Sequence, residues 1–191
     1  CQRRLSKRPT TLFSLYRLDM QALQAELLID KDGFISGARF SPDGTQVLVS
    51  GSPESLGGIG KNVKEGQTPS MTDGQLYLLN IADKRVTPLT KDFNPSVQRA
   101  VWNKADGQIY FTAENRDCYS LYRMNPADGK ILQLEVSEDL VNSFSLAQNA
   151  PVMAYYGQSA SNSDRLYTMN TKKMKSSLLE DLSKDILKDV E

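Results

Sequence analysis

Apolar residues fall along this chain in short bursts separated by clusters of Gly, Pro, Asn, Asp and Ser, a spacing that predicts short strands and turns, with no long helix. Four of the bursts read alike: "SLYRLDM" at 14–20, "QLYLLNI" at 75–81, "SLYRMNP" at 120–126 and "RLYTMNT" at 165–171. In register they align Leu15, Leu76, Leu121 and Leu166, then Tyr16, Tyr77, Tyr122 and Tyr167, then Leu18, Leu79, Met124 and Met169. Each burst ends in Asp or Asn, at Asp19, Asn80, Asn125 and Asn170. Leu and Tyr at repeated places are expected in the core first of all.

Tyr77, Tyr122 and Tyr167 stand 45 residues apart, and Tyr16 precedes Tyr77 by 61. The chain between the bursts also repeats. Residues 35–51 read as strand, tight turn and strand, with Ser41-Pro42-Asp43-Gly44 suited to a type I turn. Residues 97–114 repeat this around Ala105-Asp106-Gly107, and 141–157 do so again. A polar turn and a last strand follow each Leu-Tyr burst. A period near 45 built from four short strands is the signature of propeller blades. The expected fold is all-β, a partial β-propeller with WD-like four-stranded blades, three full and one half. The blades fall at about 11–29 (the half blade, with only its last two strands), 33–90, 96–135 and 140–180. Residues 181–191 are read as a linker. A ring of about four to eight blades does not close from these residues alone.

The longer first step carries a surplus of 16 residues in "GSPESLGGIGKNVKEGQTPSMTDGQ" (51–75), between the second and third strands of its unit. Its glycines and its Gly60-Lys61 pair suggest a phosphate loop. That pattern requires Gly at 55 and Ser or Thr at 62, where the chain has Ser55 and Asn62, and a helix where a strand follows. Loops joining second to third strands emerge on one propeller face, so 52–73, 115–119 and 158–164 are expected to share a rim. Its charged candidates are Glu54, Lys61, Glu65, Arg116, Asp117 and Arg165, each readable either as a chamber residue or as a solvated loop charge.

Composition narrows the chemistry. The chain has no histidine, which excludes Ser-His-Asp and Cys-His centres and His-ligated metals within these 191 residues. It has no GxSxG, CxxC or Ser-x-x-Lys motif either. No catalytic residue, metal ligand or cofactor is therefore assigned. Cys1 and Cys118 make neither a disulfide framework nor a zinc site. Lys plus Arg and Asp plus Glu both number 23, giving no electrostatic reason to expect nucleic acid, and no apolar run is long enough to span a bilayer as a helix. The opening "CQRRLSKRPT" reads either as a mature lipoprotein start or as a cut from a longer chain, its basic run Arg3, Arg4, Lys7 and Arg8 being solvated. Compartment stays open between bacterial periplasm and cytoplasm.

"FSPDG" (40–44) followed by a Leu-Tyr strand resembles the WD-like blades of TolB-like propellers and of the prolyl-oligopeptidase family of serine peptidases. The block 51–102 is similar to the dipeptidyl-peptidase-like and acylaminoacyl-peptidase-like branch of that family in Bacteroides-type bacteria. "LSKDILKDVE" (182–191) resembles the linker into its α/β-hydrolase domain. The resemblance implies a non-catalytic propeller that gates access of short peptides to a serine centre in a missing hydrolase domain of the same polypeptide. It also implies acidic propeller residues holding a substrate amino terminus; this chain has no adjacent Glu-Glu pair, and Glu54 and Glu65 are the candidates. The alternative is a TolB-like propeller acting as a protein-binding module. A propeller glycosidase needs inward carboxylates, and the innermost strands, near 35–40, 97–102 and 141–145, carry none.

Overall fold

In a computed structural model, which describes residues 2–4, 10–182 and 184, strands follow one another almost without interruption. They form two compact units, Cys1–Phe93 and Asn94–Glu191. Cys1, Lys7 and Arg8, and residues 183 and 185–191 of the expected linker, lie outside the described residues. No helix among the described residues is long and apolar enough to cross a membrane.

The first unit holds two sheets. One contains β1 (Gln2–Arg4), β2 (Thr10–Asp19) and β3 (Gln24–Asp32), in that order. It has three strands where two are expected, because β1 pairs antiparallel with residues 10–12 of β2. The other is an antiparallel meander of β4 (Gly37–Phe40), β5 (Gln46–Gly51), β6 (Gln75–Asn80) and β7 (Val86–Pro88). Between β5 and β6, Ser55–Gly58 form one short turn (α1) with Leu56 and Gly57 at left-handed φ of 58° and 76°, so it is no regular helix.

The second unit repeats the meander twice. β8 (Ser96–Trp102), β9 (Ile109–Asn115), β10 (Cys118–Met124) and β11 (Ile131–Gln133) pair in turn. So do β12 (Leu140–Leu146), β13 (Val152–Ser159), β14 (Asn162–Asn170) and β15 (Lys175–Asp181). A single parallel pair, Tyr119 with Leu140, joins the two runs into one sheet.

The Asp or Asn that ends each burst has a structural reason. Its side-chain oxygen accepts backbone N–H groups two or three residues on: Gln21 and Ala22 for Asp19, Ala82 and Asp83 for Asn80, Ala127 for Asn125, Lys172 and Lys173 for Asn170. Four residues on, the chain turns left-handed at Leu23, Lys84, Gly129 and Met174. The repeat is therefore one Asx-type turn made four times. At the other turn, the Gly44 N–H donates to the Ser41 carbonyl at 3.0 Å while the Ser41 hydroxyl donates to Asp43 at 2.6 Å.

Each unit has its own core. Leu28, Ile29, Val47, Val49, Tyr77, Leu79 and Ile81 cluster in the first; Tyr110, Leu121, Val141, Phe144, Met153, Tyr155, Tyr167 and Met169 are among those in the second. Such burial stabilises by about 1.5–3 kcal/mol per large side chain. The expected core positions are buried in the later copies but not in the first. Tyr16 and Leu18 are 56% and 52% exposed; Tyr16 borders an open cleft that it shares with Leu28, Ala38, Phe40 and Val47 of its own unit, which no side chain fills. Leu166 is also exposed: it shares with Tyr156, its cross-strand partner, a face of β13–β14 opposite the core.

Candidate functional site

The inserted stretch of the first unit divides in two. Ser52, Pro53, Ser55 and Gly60 are buried, whereas residues 61–68 are exposed. The buried half is fastened from outside by Tyr77 and Asp32 and internally by Ser55. The Tyr77 hydroxyl donates to the Ser52 carbonyl at 2.6 Å, and the Ser55 hydroxyl accepts the Ser52 N–H at 3.0 Å. Asp32, at the end of β3, accepts the Leu56 N–H at 2.6 Å on one oxygen and those of Phe34 and Ile35 at 2.7 and 3.0 Å on the other. Gly60 is needed because a Cβ there would collide with the Tyr77 hydroxyl and the Gln75 amide oxygen. Burial first, then the Asp32 charge, pushes the Tyr77 phenol up to about 12, so it is a donor at neutral pH.

Within the second unit one end of the sheet gathers polar groups. Ser96 of β8 lies opposite Glu114, the two-residue turn Arg116-Asp117 joins β9 to β10, and Leu140 of β12 lies opposite Gln158. The irregularity between Val97 and Arg99 is matched by one between Val141 and Ser143. Such bulges re-aim side chains. At the two bulged residues the amides behave alike: Gln98 donates to Glu114 at 3.4 Å and Asn142 to Asp164 at 3.1 Å. Beside them Arg99 donates to the Ser143 hydroxyl at 2.8 Å and lies 5.4 Å from the centroid of the Phe144 ring.

Beneath this end is a buried carboxylate. Glu138, in the connection from β11 to β12, has a side chain with 0% exposure. Its Oε1 accepts the Tyr167 hydroxyl at 2.5 Å and lies 4.0 Å from the Arg165 guanidinium; its Oε2 is buried with no hydrogen-bond partner among the described residues. Arg165 donates to Asp181 at 2.8 Å, which raises its pKa. Burial, followed by the hydrogen bond to Glu138, pushes the Tyr167 phenol up to about 12.

Of the charged residues singled out by the sequence, Glu54 and Lys61 form an ion pair of 2.8 Å at the border of the buried half-loop. The Lys61 ammonium is thus directed at a carboxylate of its own loop. Glu65 stands apart in the exposed half and has no ion pair among the described residues. Arg116, at φ 60°, and Asp117 are exposed in their turn. Arg165 lies within β14 and joins Asp181 and Glu138. The connections expected over 115–119 and 158–164 contract to 116–117 and 160–161, because the hairpins pair as far as Asn115 with Cys118 and Ser159 with Asn162. Glu138, Asp32 and Arg99 escape sequence reading. "EVSEDL" looks like a solvated connection, and only Gly157 opposite it hints at a close approach.

No protein-family model matches the chain, and no curated protein does. Solved structures do. The acylaminoacyl peptidase of Pyrococcus horikoshii is similar at a TM-score of 0.68 and 19% identity, over 99% of this chain and 26% of that one. The β-propeller domain of the Trilobed protease from Pyrococcus furiosus gives 0.64 and 19%, over 93% and 45%. TolB from Acinetobacter baumannii gives 0.62 and 18%, over 92% and 39%. The chain thus spans less than half the length of these proteins. At such identities the likeness shows the fold alone: an all-β chain of propeller type, whose structural neighbours include propeller-bearing peptidases of the prolyl-oligopeptidase family.

Proposed function

We propose that the chain is part of a larger β-propeller, non-catalytic in itself, that gates the entry of short peptides to a serine peptidase centre in a hydrolase domain of the same polypeptide. The carrying observation is the run of repeated four-stranded meanders, similar to the acylaminoacyl peptidase over nearly the whole of this chain and a quarter of that one. On this reading β4–β7, β8–β11 and β12–β15 are blades, with β1–β3 belonging to a fourth. On the same reading the exposed apolar face at Tyr156 and Leu166 is where a further blade packs. The loop carrying Glu54, Lys61 and Glu65 and the turns and strand starts carrying Arg116, Asp117 and Arg165 belong to the chamber rim. A chamber of this kind selects by size before chemistry begins.

The second reading, a TolB-like module that holds a protein partner on its rim, is favoured by the likeness to TolB. One experiment separates the two. Native lysate is treated with a fluorophosphonate serine-hydrolase probe, and the intact chain containing "NPSVQR" is identified by mass spectrometry. The expected result is a labelled chain much heavier than the 21.3 kDa of these residues. An unlabelled chain sinks the peptidase reading and leaves the binding module.

A further inference from the structure

A guanidinium that pairs with no carboxylate, yet is held in one place, is an uncommon thing on a protein surface. Most exposed arginines sample many rotamers or lean on an acidic neighbour. Arg99 does neither. It is exposed, and among the described residues no carboxylate oxygen lies within 4 Å of it. Two contacts fix it: the Phe144 ring 5.4 Å from its central carbon and the Ser143 hydroxyl at 2.8 Å. Phe144 is buried in the core and cannot follow a moving side chain, so the platform is rigid. The nearby acids are engaged elsewhere, Glu114 by Gln98 and Asp164 by Asn142.

The geometry points to Arg99 of β8, beside Ser143 of β12, as the anchor of a carboxylate-binding site, the carboxylate being that of a peptide on the reading proposed above. The chemistry follows from the guanidinium. It has five N–H donors in one plane, and Ser143 uses one. Contact with an aromatic ring uses none of these N–H groups as a conventional donor, which leaves donors for a bidentate carboxylate. The matched bulges at Val97/Arg99 and Val141/Ser143 bring Arg99 and Ser143 together from neighbouring runs, and bulges of this kind are common beside binding sites. Because ring and hydroxyl have already restricted the side chain, binding loses little rotamer entropy. The Gln98–Glu114 and Asn142–Asp164 pairs beside it add negative charge, so the site selects a single carboxylate over a polyanion.

Two sources carry this chemistry, a peptide's own C-terminus and an Asp or Glu side chain. The test is titration calorimetry on the full-length protein at low salt with three probes: N-acetyl-trialanine as free acid, its C-terminal amide, and N-acetyl-Ala-Asp-Ala-amide. At least one carboxylate probe is expected to bind about tenfold or more tighter than the neutral amide. Arg99→Gln removes that preference and leaves the amide unchanged; Arg99→Lys, which keeps the charge and loses the fork, recovers only part of it. Preference for the free acid identifies a C-terminus as the ligand, and preference for the Asp peptide an acidic side chain. Equal binding of all three, absence of binding, or a preference that survives Arg99→Gln overturns the site. The site rests on the second unit alone, and only its peptide ligand rests on the proposed function: carboxylate binding without fluorophosphonate labelling keeps the site and removes the peptidase reading.

Discussion

Tyr77 and Tyr167 occupy the same place in the repeat, are both buried, and have phenols pushed up to about 12, yet they fasten different things. Tyr77 donates to the Ser52 carbonyl and so pins the inserted loop of the first unit. Tyr167 donates to Glu138 and so pins the connection that leads into β12. A third copy, Tyr122, stacks on Phe111 with centroids 5.4 Å apart, and the fourth, Tyr16, is open to solvent. The repeat thus specifies a ring for the core and a hydroxyl at its rim. What accepts the hydroxyl is decided by connections that do not repeat. A buried phenol is stabilised by an acceptor, and a different connection supplies one over the same donor in each unit.

The largest difference between the two connections lies in the glycines beneath them. A Cβ on Gly157 would collide with the Leu140 carbonyl oxygen and lie 3.2 Å from the Glu138 Cβ. The three atoms nearest a Cβ on Gly60 belong to side chains, the Tyr77 hydroxyl, the Gln75 amide oxygen and, at 3.0 Å, the Tyr77 ring carbon Cζ. Backbone cannot step aside as a side chain can. Gly157→Ala is expected to cost about 3 kcal/mol and Gly60→Ala about 2 kcal/mol in urea unfolding. Adding Tyr77→Phe should recover about 1 kcal/mol of the second loss, while Tyr167→Phe should recover none of the first. Equal rescue in both units would mean that the Leu140 segment is as compliant as a side chain.

Next come the hydroxyls themselves. Tyr167→Phe strips a buried carboxylate oxygen of its donor and should cost about 2 kcal/mol; Tyr77→Phe strips a peptide carbonyl and should cost about 1 kcal/mol. Alkali probes the same pair. A phenol whose folded pKa is raised contributes stability that is complete below its unfolded value of 10.0 and is lost as pH rises through about 12. Tyr110, also pushed up to about 12 by burial and its hydrogen bond to Asp106, adds to the loss. The urea midpoint should therefore hold to about pH 10 and fall steeply above it, and either Tyr→Phe variant should flatten the fall. A midpoint flat to pH 12 in the wild type would show that the folded phenols hold their protons no more tightly than the unfolded ones.

The sequence reveals the recurring parts because they recur. Leu76, Tyr77 and Leu79, with their counterparts at 121–124, stand at fixed spacing, and Asn80 and Asn170 mark turns that the structure makes in one geometry. Burial of the first copy is not legible, since Tyr16 reads like Tyr77 and differs only in what covers it. The charged candidates are legible as loop charges but not as partners. Arg165 reads as a rim residue and is committed to Asp181, a contact across β14 and β15 that depends on register. Glu138 is invisible for a related reason: a Glu in a polar connection is buried only because Gly157 lets that connection approach β13.

The smallest effect tests whether the inserted loop is held by its buried frame or by its visible charges. Glu54 and Lys61 form a pair of 2.8 Å whose side chains keep 22% and 40% exposure. Such pairs contribute about 0.5 kcal/mol or less. Asp32 is different, for it accepts three backbone N–H groups, one of them Leu56 inside the loop. Asp32→Ala should speed amide exchange at Leu56 about tenfold, at a cost near 1 kcal/mol. Glu54→Gln should leave exchange of the buried half-loop within about twofold of the wild type. Were Glu54→Gln to loosen residues 52–60 as much as Asp32→Ala, the ion pair would be the clasp. The loop would then open with salt, and Gly60 against Tyr77 would be a consequence of its closure and no longer its cause.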